Sequence, residues 1–145
     1  MKAYLGRRYR LSASHRLFCA SLGEAENQRV YGKCANPHGH GHNYTVEVLV
    51  GGEIDEGTGM VCDLAELDGL VEREVLEPFD RQNLNTLESF RERVPTTENL
   101  LLEIRKRLGR ALPRRLTLVV RVEETSNNFF EYWDEGSGKL LAKGV

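Results

Sequence analysis

From Tyr4 to Leu17 the chain alternates: Tyr9, Leu11, Ala13, His15 and Leu17 fall on one face, and Arg8, Arg10, Ser12 and Ser14 on the other. A period of two marks a half-buried strand and puts His15 on its apolar side. A second alternating run begins at His40, where His40, His42, Tyr44, Val46, Val48 and Val50 share a face. Between the two runs, residues 19–39 are polar and glycine-containing and read as a loop. Gly51-Gly52 opens a turn region reaching Gly59. Asp63 then reads as a helix N-cap, with Leu64, Leu67, Val71 and Val75 at helical spacing until Pro78 stops the pattern. Residues 79–95 read as mostly loop. Thr96 or Thr97 caps a second helix with the stripe Leu101, Ile104 and Leu108, and Glu98 complements its positive end. Leu116 to Glu124 and Asn128 to Asp134 give the third and fourth strands.

The predicted order is strand, strand, helix, helix, strand, strand, without repeat, low-complexity tract or linker. It points to one α+β domain over residues 1–145, an antiparallel four-stranded sheet (ββααββ) with two helices packed on one face. An open sheet leaves two edges, which stay exposed or pair with another subunit.

Composition narrows the class. A chain of 145 residues can bury a core without disulfides. With 40% hydrophobic and 29% charged residues it is neither a disordered nor a membrane sequence. The net charge of −2 gives no electrostatic case for nucleic acid. Arg7, Arg8 and Arg10 read as a solvated strand face rather than a phosphate-binding patch. Cys19, Cys34 and Cys62 are odd in number and scattered, which argues against a disulfide framework and for a reducing compartment. With no apolar leader at the N-terminus and no run long enough to span a bilayer, the expected location is the cytoplasm.

The chemistry concentrates between Cys34 and Tyr44, where three of the four histidines fall within a few positions of one cysteine. Imidazoles are the commonest metal ligands. Parity puts His40 and His42 on one face, and an antiparallel neighbour brings His15 beside them. Spacing alone also admits triplets containing His38, but that residue follows Pro37 in the loop, so His15, His40 and His42 are the preferred set. Three imidazoles leave the fourth tetrahedral position of a zinc ion open, as in catalytic rather than structural sites. Cys34 reads as a base or nucleophile beside the ion, as an inert buried thiol, or as a fourth ligand that closes the site. Glu124 shares its face with Leu116, Leu118, Val120 and Val122, so its carboxylate needs a partner. That partner is either an arginine or a ligand carrying an amidine-like N–H pair, such as a guanine or pterin edge.

Taken in order, Ser12-Ala13-Ser14-His15-Arg16-Leu17, Cys34 to Tyr44, Gly59-Met60-Val61 with Asp63-Leu64, Pro95-Thr96-Thr97-Glu98-Asn99-Leu100 and Glu124-Thr125 resemble the 6-pyruvoyl-tetrahydropterin synthase family. This family includes the 6-carboxy-tetrahydropterin synthases of queuosine biosynthesis. The resemblance implies a T-fold whose subunits join through their sheets, usually as hexamers, with active sites between subunits. It implies Zn2+ on His15, His40 and His42, and 7,8-dihydroneopterin triphosphate as substrate. In that picture Glu124 anchors the pterin ring, the Thr96-Thr97 segment lines its pocket, and Cys34 is the proton-transfer base.

One departure stands out. The family pairs an Asp with a His that communicates with the catalytic Cys, whereas this chain reads Asp80-Arg81. Arginine remains protonated at any working pH and cannot take a proton from the thiol. Either Arg81 holds Cys34 as thiolate by charge, or His38 supplies the missing imidazole; alternatively Arg81 binds phosphate or points into solvent. The longer gap from Cys34 to His40, followed by Gly41-His42-Asn43-Tyr44, resembles the pyruvoyl branch. The expected function is a zinc-dependent lyase giving 6-pyruvoyl-tetrahydropterin. The alternatives are the 6-carboxy product, a non-catalytic pterin or purine binder that has lost the relay, and a structural zinc protein.

Overall fold

The structure, a computed structural model, describes residues 1–132. Two long strands dominate it: β1 (Lys2–His15) and β2 (His40–Glu53) pair antiparallel along their whole length, from Lys2↔Glu53 to His15↔His40. Strand β4 (Thr117–Glu123) joins β2, and β5 (Phe129–Tyr132) joins β4, both antiparallel. A two-residue strand, β3 (Gln82–Asn83), adds to the free edge of β1 in parallel, at Ala13 and Ser14. The sheet is therefore five-stranded and mixed, in the order β3-β1-β2-β4-β5, rather than four-stranded and antiparallel as expected. Two residues carry too little pattern to announce a strand; β3 exists because β1 offers it an edge.

The alternation along the strands does what it predicts. Leu11, Val46, Val48, Val50, Leu118, Val120 and Val122 are buried on one face of the sheet, against Leu67, Val71 and Val75 and against Leu100, Leu101, Ile104 and Leu108. Each such side chain contributes about 1.5–3 kcal/mol on leaving water. The two helical stripes belong to α2 (Leu64–Val71) with its continuation, and to α4 (Thr97–Ala111). Asp63 caps α2 by accepting from Glu66 N, and Thr96 caps α4 by accepting from Asn99 N.

Three boundaries differ from the sequence expectation, each for a local reason. The helix beginning at Leu64 does not stop at Pro78. It passes through a π-helical stretch, Glu72–Leu76, into a last turn, α3 (Glu77–Phe79). Pro78 follows directly on the π-helical stretch, and the turn still closes beyond it, with Asp80 N donating to Leu76 O. The polar segment 19–39 holds a helix, α1 (Glu24–Tyr31), followed by a 3-10 turn over Gly32–Ala35. This helix has no apolar stripe to read, because its one buried residue is Asn27. The Asn27 amide accepts from Cys19 N and donates to the carbonyls of Cys19, Leu22 and Gly23, tying α1 to the chain before it. Strand β2 runs on through Gly51-Gly52, where any side chain on Gly51 would collide with the Tyr4 ring. The expected fourth strand is observed as β5; Trp133 and Asp134 lie outside the described residues.

A candidate metal centre at the end of the β1–β2 ladder

The last rung of the longest pairing is His15↔His40, and the next inward-facing position on β2 is His42. Strand geometry alone thus gathers three imidazoles at one end of the sheet. The ring centroids of the three lie 4.5–5.1 Å apart. Gly39 makes the entry into β2 possible. It sits at φ 67°, and a Cβ there would lie 2.5 Å from the His15 carbonyl oxygen. The preceding loop is fixed by Leu17 N donating to Cys34 O at 2.7 Å, which carries the Cys34 thiol to within 2.9 Å of His40 Nε2. His15, Cys34, His40 and His42 each offer a ligand atom, all within 4.8 Å of one another.

The donor set suits a metal ion. Two nitrogens bound at about 2.05 Å to one tetrahedral ion lie about 3.3 Å apart, and His15 Nε2 and His40 Nε2 are 3.2 Å apart. His15 is buried, and its Nδ1 donates to the Pro95 carbonyl at 2.9 Å, which turns Nε2 toward the cluster. His42 Nε2 is buried without a hydrogen-bond partner: Glu124 Oε1 is 3.1 Å away but off the hydrogen-bonding direction. An orphaned imidazole nitrogen aimed into a histidine cluster calls for an electrophile. Burial lowers the pKa values of His15 and His42, the more so with imidazole neighbours, and outweighs the opposing pull of the Pro95 carbonyl on His15 and of Glu124 on both. Both therefore stay neutral, the form that binds metal.

Cys34 sits differently. Its sulfur is 2.9 Å from His40 Nε2, a hydrogen-bond separation, shorter than the about 3.5 Å between a thiolate and an imidazole on one tetrahedral ion. Burial first, and then the Glu124 carboxylate, push the thiol above its usual range. A divalent cation on the imidazoles would pull it back down.

Among the described residues Glu124 has no arginine partner. Oε2 accepts from the Thr97 hydroxyl at 2.9 Å and from Asn128 Nδ2 at 3.4 Å, and Oε1 faces His42. Thr96 is spent on the helix cap, which leaves Thr97, buried, to hold the carboxylate. The other sequence candidates lie elsewhere. His38 is exposed and adds no atom to the cluster. Asp80 Oδ1 accepts from Ser12 N at 2.9 Å, and Arg81 N donates to Ser12 O at 2.5 Å. Both therefore grip the edge of β1 and contribute nothing to the cluster of the same chain. Sequence reasoning missed the Pro95 carbonyl, for which no side-chain signal exists. It also missed the buried, unpartnered Tyr44 hydroxyl, whose ring lies 5.5 Å from that of His42. Inward parity with His40 and His42 was the signal for Tyr44.

Fold and site together define an α+β protein with a candidate metal centre of three imidazoles, a neighbouring thiol and an anchored carboxylate. The chain belongs to the family described as 6-pyruvoyl tetrahydropterin synthase, which residues 4–135 match. It is 44% identical over 135 residues to the 6-pyruvoyl tetrahydrobiopterin synthase of Homo sapiens, covering 92% of this chain and 93% of that protein. The Drosophila melanogaster protein of the same name is 43% identical over 132 residues, 90% of this chain and 79% of its own. Among solved structures, the Caenorhabditis elegans 6-pyruvoyl tetrahydropterin synthase superposes with a TM-score of 0.86 at 38% identity, covering 93% of this chain and 97% of that one. Among the described residues no helix is long and apolar enough to cross a membrane.

Proposed function

We propose that this protein is a zinc-dependent lyase that converts 7,8-dihydroneopterin triphosphate to 6-pyruvoyl-tetrahydropterin and releases triphosphate. The observation that carries this reading is the convergence of His15, His40 and His42 beside a Glu124 carboxylate that pairs with no lysine or arginine among the described residues, in a chain so similar to named synthases.

His15, His40 and His42 would hold the ion. When bound, zinc supplies Lewis acidity to the side-chain oxygens of the substrate and so acidifies the adjacent C–H bonds. Glu124, oriented by Thr97, accepts the N–H pair of the pterin edge, with Thr96 and Thr97 forming one wall. Cys34 takes a proton from the activated side chain and returns one to the ring, so that the side chain is oxidised as the ring is reduced and triphosphate departs. No external oxidant or reductant is needed, because the redox change is internal to the substrate. One domain spanning residues 1–145, assembled as a homo-oligomer in the cytoplasm, is the setting that fits; neither nucleic acid nor membrane is a partner.

The test is incubation of metal-replete protein with dihydroneopterin triphosphate and identification of the products by mass spectrometry. A 6-pyruvoyl product with stoichiometric triphosphate is expected. Acetaldehyde with a 6-carboxy product would move the protein to the sibling reaction. Tight pterin binding without triphosphate release would make it a binder.

A further inference from the structure

Arg81 is the only non-glycine residue with positive φ among the described residues, at 60°, a conformation that costs a side-chain-bearing residue energy. The backbone is held there by the bond from Arg81 N to Ser12 O and by the Asp80 carboxylate on Ser12 N. Arg81 lines an open concavity of about 510 Å3 at the β3-β1-β2 end of the sheet, together with Ser12, Ser14, His42, Asn43, Gln82 and Asn83.

That lining is rich in donors. No Asp or Glu belongs to it, and among the described residues no carboxylate pairs with the Arg81 guanidinium. The two asparagines have their oxygens committed: Asn43 Oδ1 accepts from Ser12 Oγ at 2.7 Å, and Asn83 Oδ1 accepts from Asn85 N at 3.1 Å. Each amide therefore turns its NH2 outward. Arg10, the next outward-facing residue before Ser12 on β1, is exposed and likewise unpaired among the described residues. Asp80, the nearest acid in sequence, is turned onto the β1 backbone. An arginine held in a strained turn, two amide NH2 groups, the Ser14 hydroxyl and no acid form a receptor for a multiply charged oxyanion.

We infer that this concavity is a phosphoryl-anion subsite in which Arg81 is the principal cation, taking the polyphosphate of a phosphate ester. The inference rests on the proposed function only for the source of that anion. The subsite lies at the same end of the sheet as the histidine cluster, since its rung Ser14↔Gly41 adjoins His15↔His40 and His42 also belongs to its lining. In this chain the residue after Asp80 would thus serve the leaving group rather than the thiol.

The experiment is calorimetric titration of the zinc-loaded protein with inorganic triphosphate, for the wild type, R81Q and R81G. Glycine suits the positive φ, so R81G keeps the turn if R81Q does not fold. Saturable binding is expected that weakens by at least about tenfold in the variants, the loss of one charge-assisted bidentate contact. Absence of binding, or binding of equal strength in both variants because triphosphate meets only the metal, would overturn the inference. Competition between triphosphate and dihydroneopterin triphosphate would identify the substrate as the source. Arg81-dependent binding without competition would uphold the subsite with free phosphate as its ligand. Arg81-dependent binding by a protein that turns nothing over would leave the subsite standing while the lyase reading fails.

Discussion

The Thr97 hydroxyl donates to Glu124 Oε2 at 2.9 Å, joining the first turn of α4 to the end of β4 beneath the histidine cluster. Residues 27 positions apart in sequence thereby hold one carboxylate in a fixed orientation. Without the Thr97 hydroxyl, Glu124 would keep only the longer contact from Asn128 and its approach to His42, and would meet an N–H pair less well. T97V keeps the shape and removes the donor, and a hydrogen bond to a charged group contributes about 1.5–3 kcal/mol. The expected result is pterin affinity reduced by about tenfold or more, measured by titration with an oxidised pterin, with zinc content unchanged. Unaltered affinity would mean that Glu124 needs no such support.

Cys34 Sγ lies within hydrogen-bond distance of His40 Nε2, and the proposed function casts the thiol as a proton-transfer neighbour of the metal site rather than as a ligand. C34A should therefore bind one zinc ion per chain as the wild type does, while turnover falls by about 10²–10⁴, the usual worth of a positioned proton-transfer group. H42A should lose the metal and the activity together. Metal analysis alongside product formation separates the two behaviours; loss of zinc in C34A would make the site a closed four-ligand one.

His38 stands exposed outside the cluster. H38N should leave turnover within about twofold of wild type, as expected of a surface substitution away from the chemistry. A drop of orders of magnitude would restore the relay role that its position in the sequence suggested.

Glu103 is buried on α4 and accepts from Arg107 and Arg93, both at 3.0 Å, and from Ser89 at 3.2 Å, with Lys106 at 3.7 Å. Burial alone would raise its pKa, but the hydrogen bond from Arg107, the Lys106 charge, Arg93 and Ser89 together bring it below the ordinary value. A depressed folded pKa stabilises the fold above the unfolded value of about 4.3 and loses that stabilisation as pH falls through the folded value. Denaturant titrations from pH 7 down to pH 3 should show stability falling more steeply in wild type than in E103Q. At pH 7 the variant should be less stable by about 1–3 kcal/mol. Parallel pH profiles for the two proteins would contradict this account.

Much of the molecule was legible because the governing physics is local. Alternation revealed β1 and β2, helical spacing revealed the stripes of α2 and α4, and parity alone put His15, His40 and His42 on the buried side. Parity also placed Glu124 inward. What failed to show was whatever depends on a partner. Helix α1 is organised around a buried asparagine instead of an apolar stripe, and β3 is a strand only because β1 has a free edge.

The sequence by itself determined the strand faces, the helix caps and the inventory of ligands, since each follows from a residue and its near neighbours. Only the tertiary structure decided which loop carbonyl orients His15, that Thr97 rather than Thr96 reaches Glu124, and that Asp80 and Arg81 grip Ser12 instead of the thiol. The reason is physical: a hydrogen bond between distant segments is set by how close packing brings them, and that distance is written in no single stretch of chain.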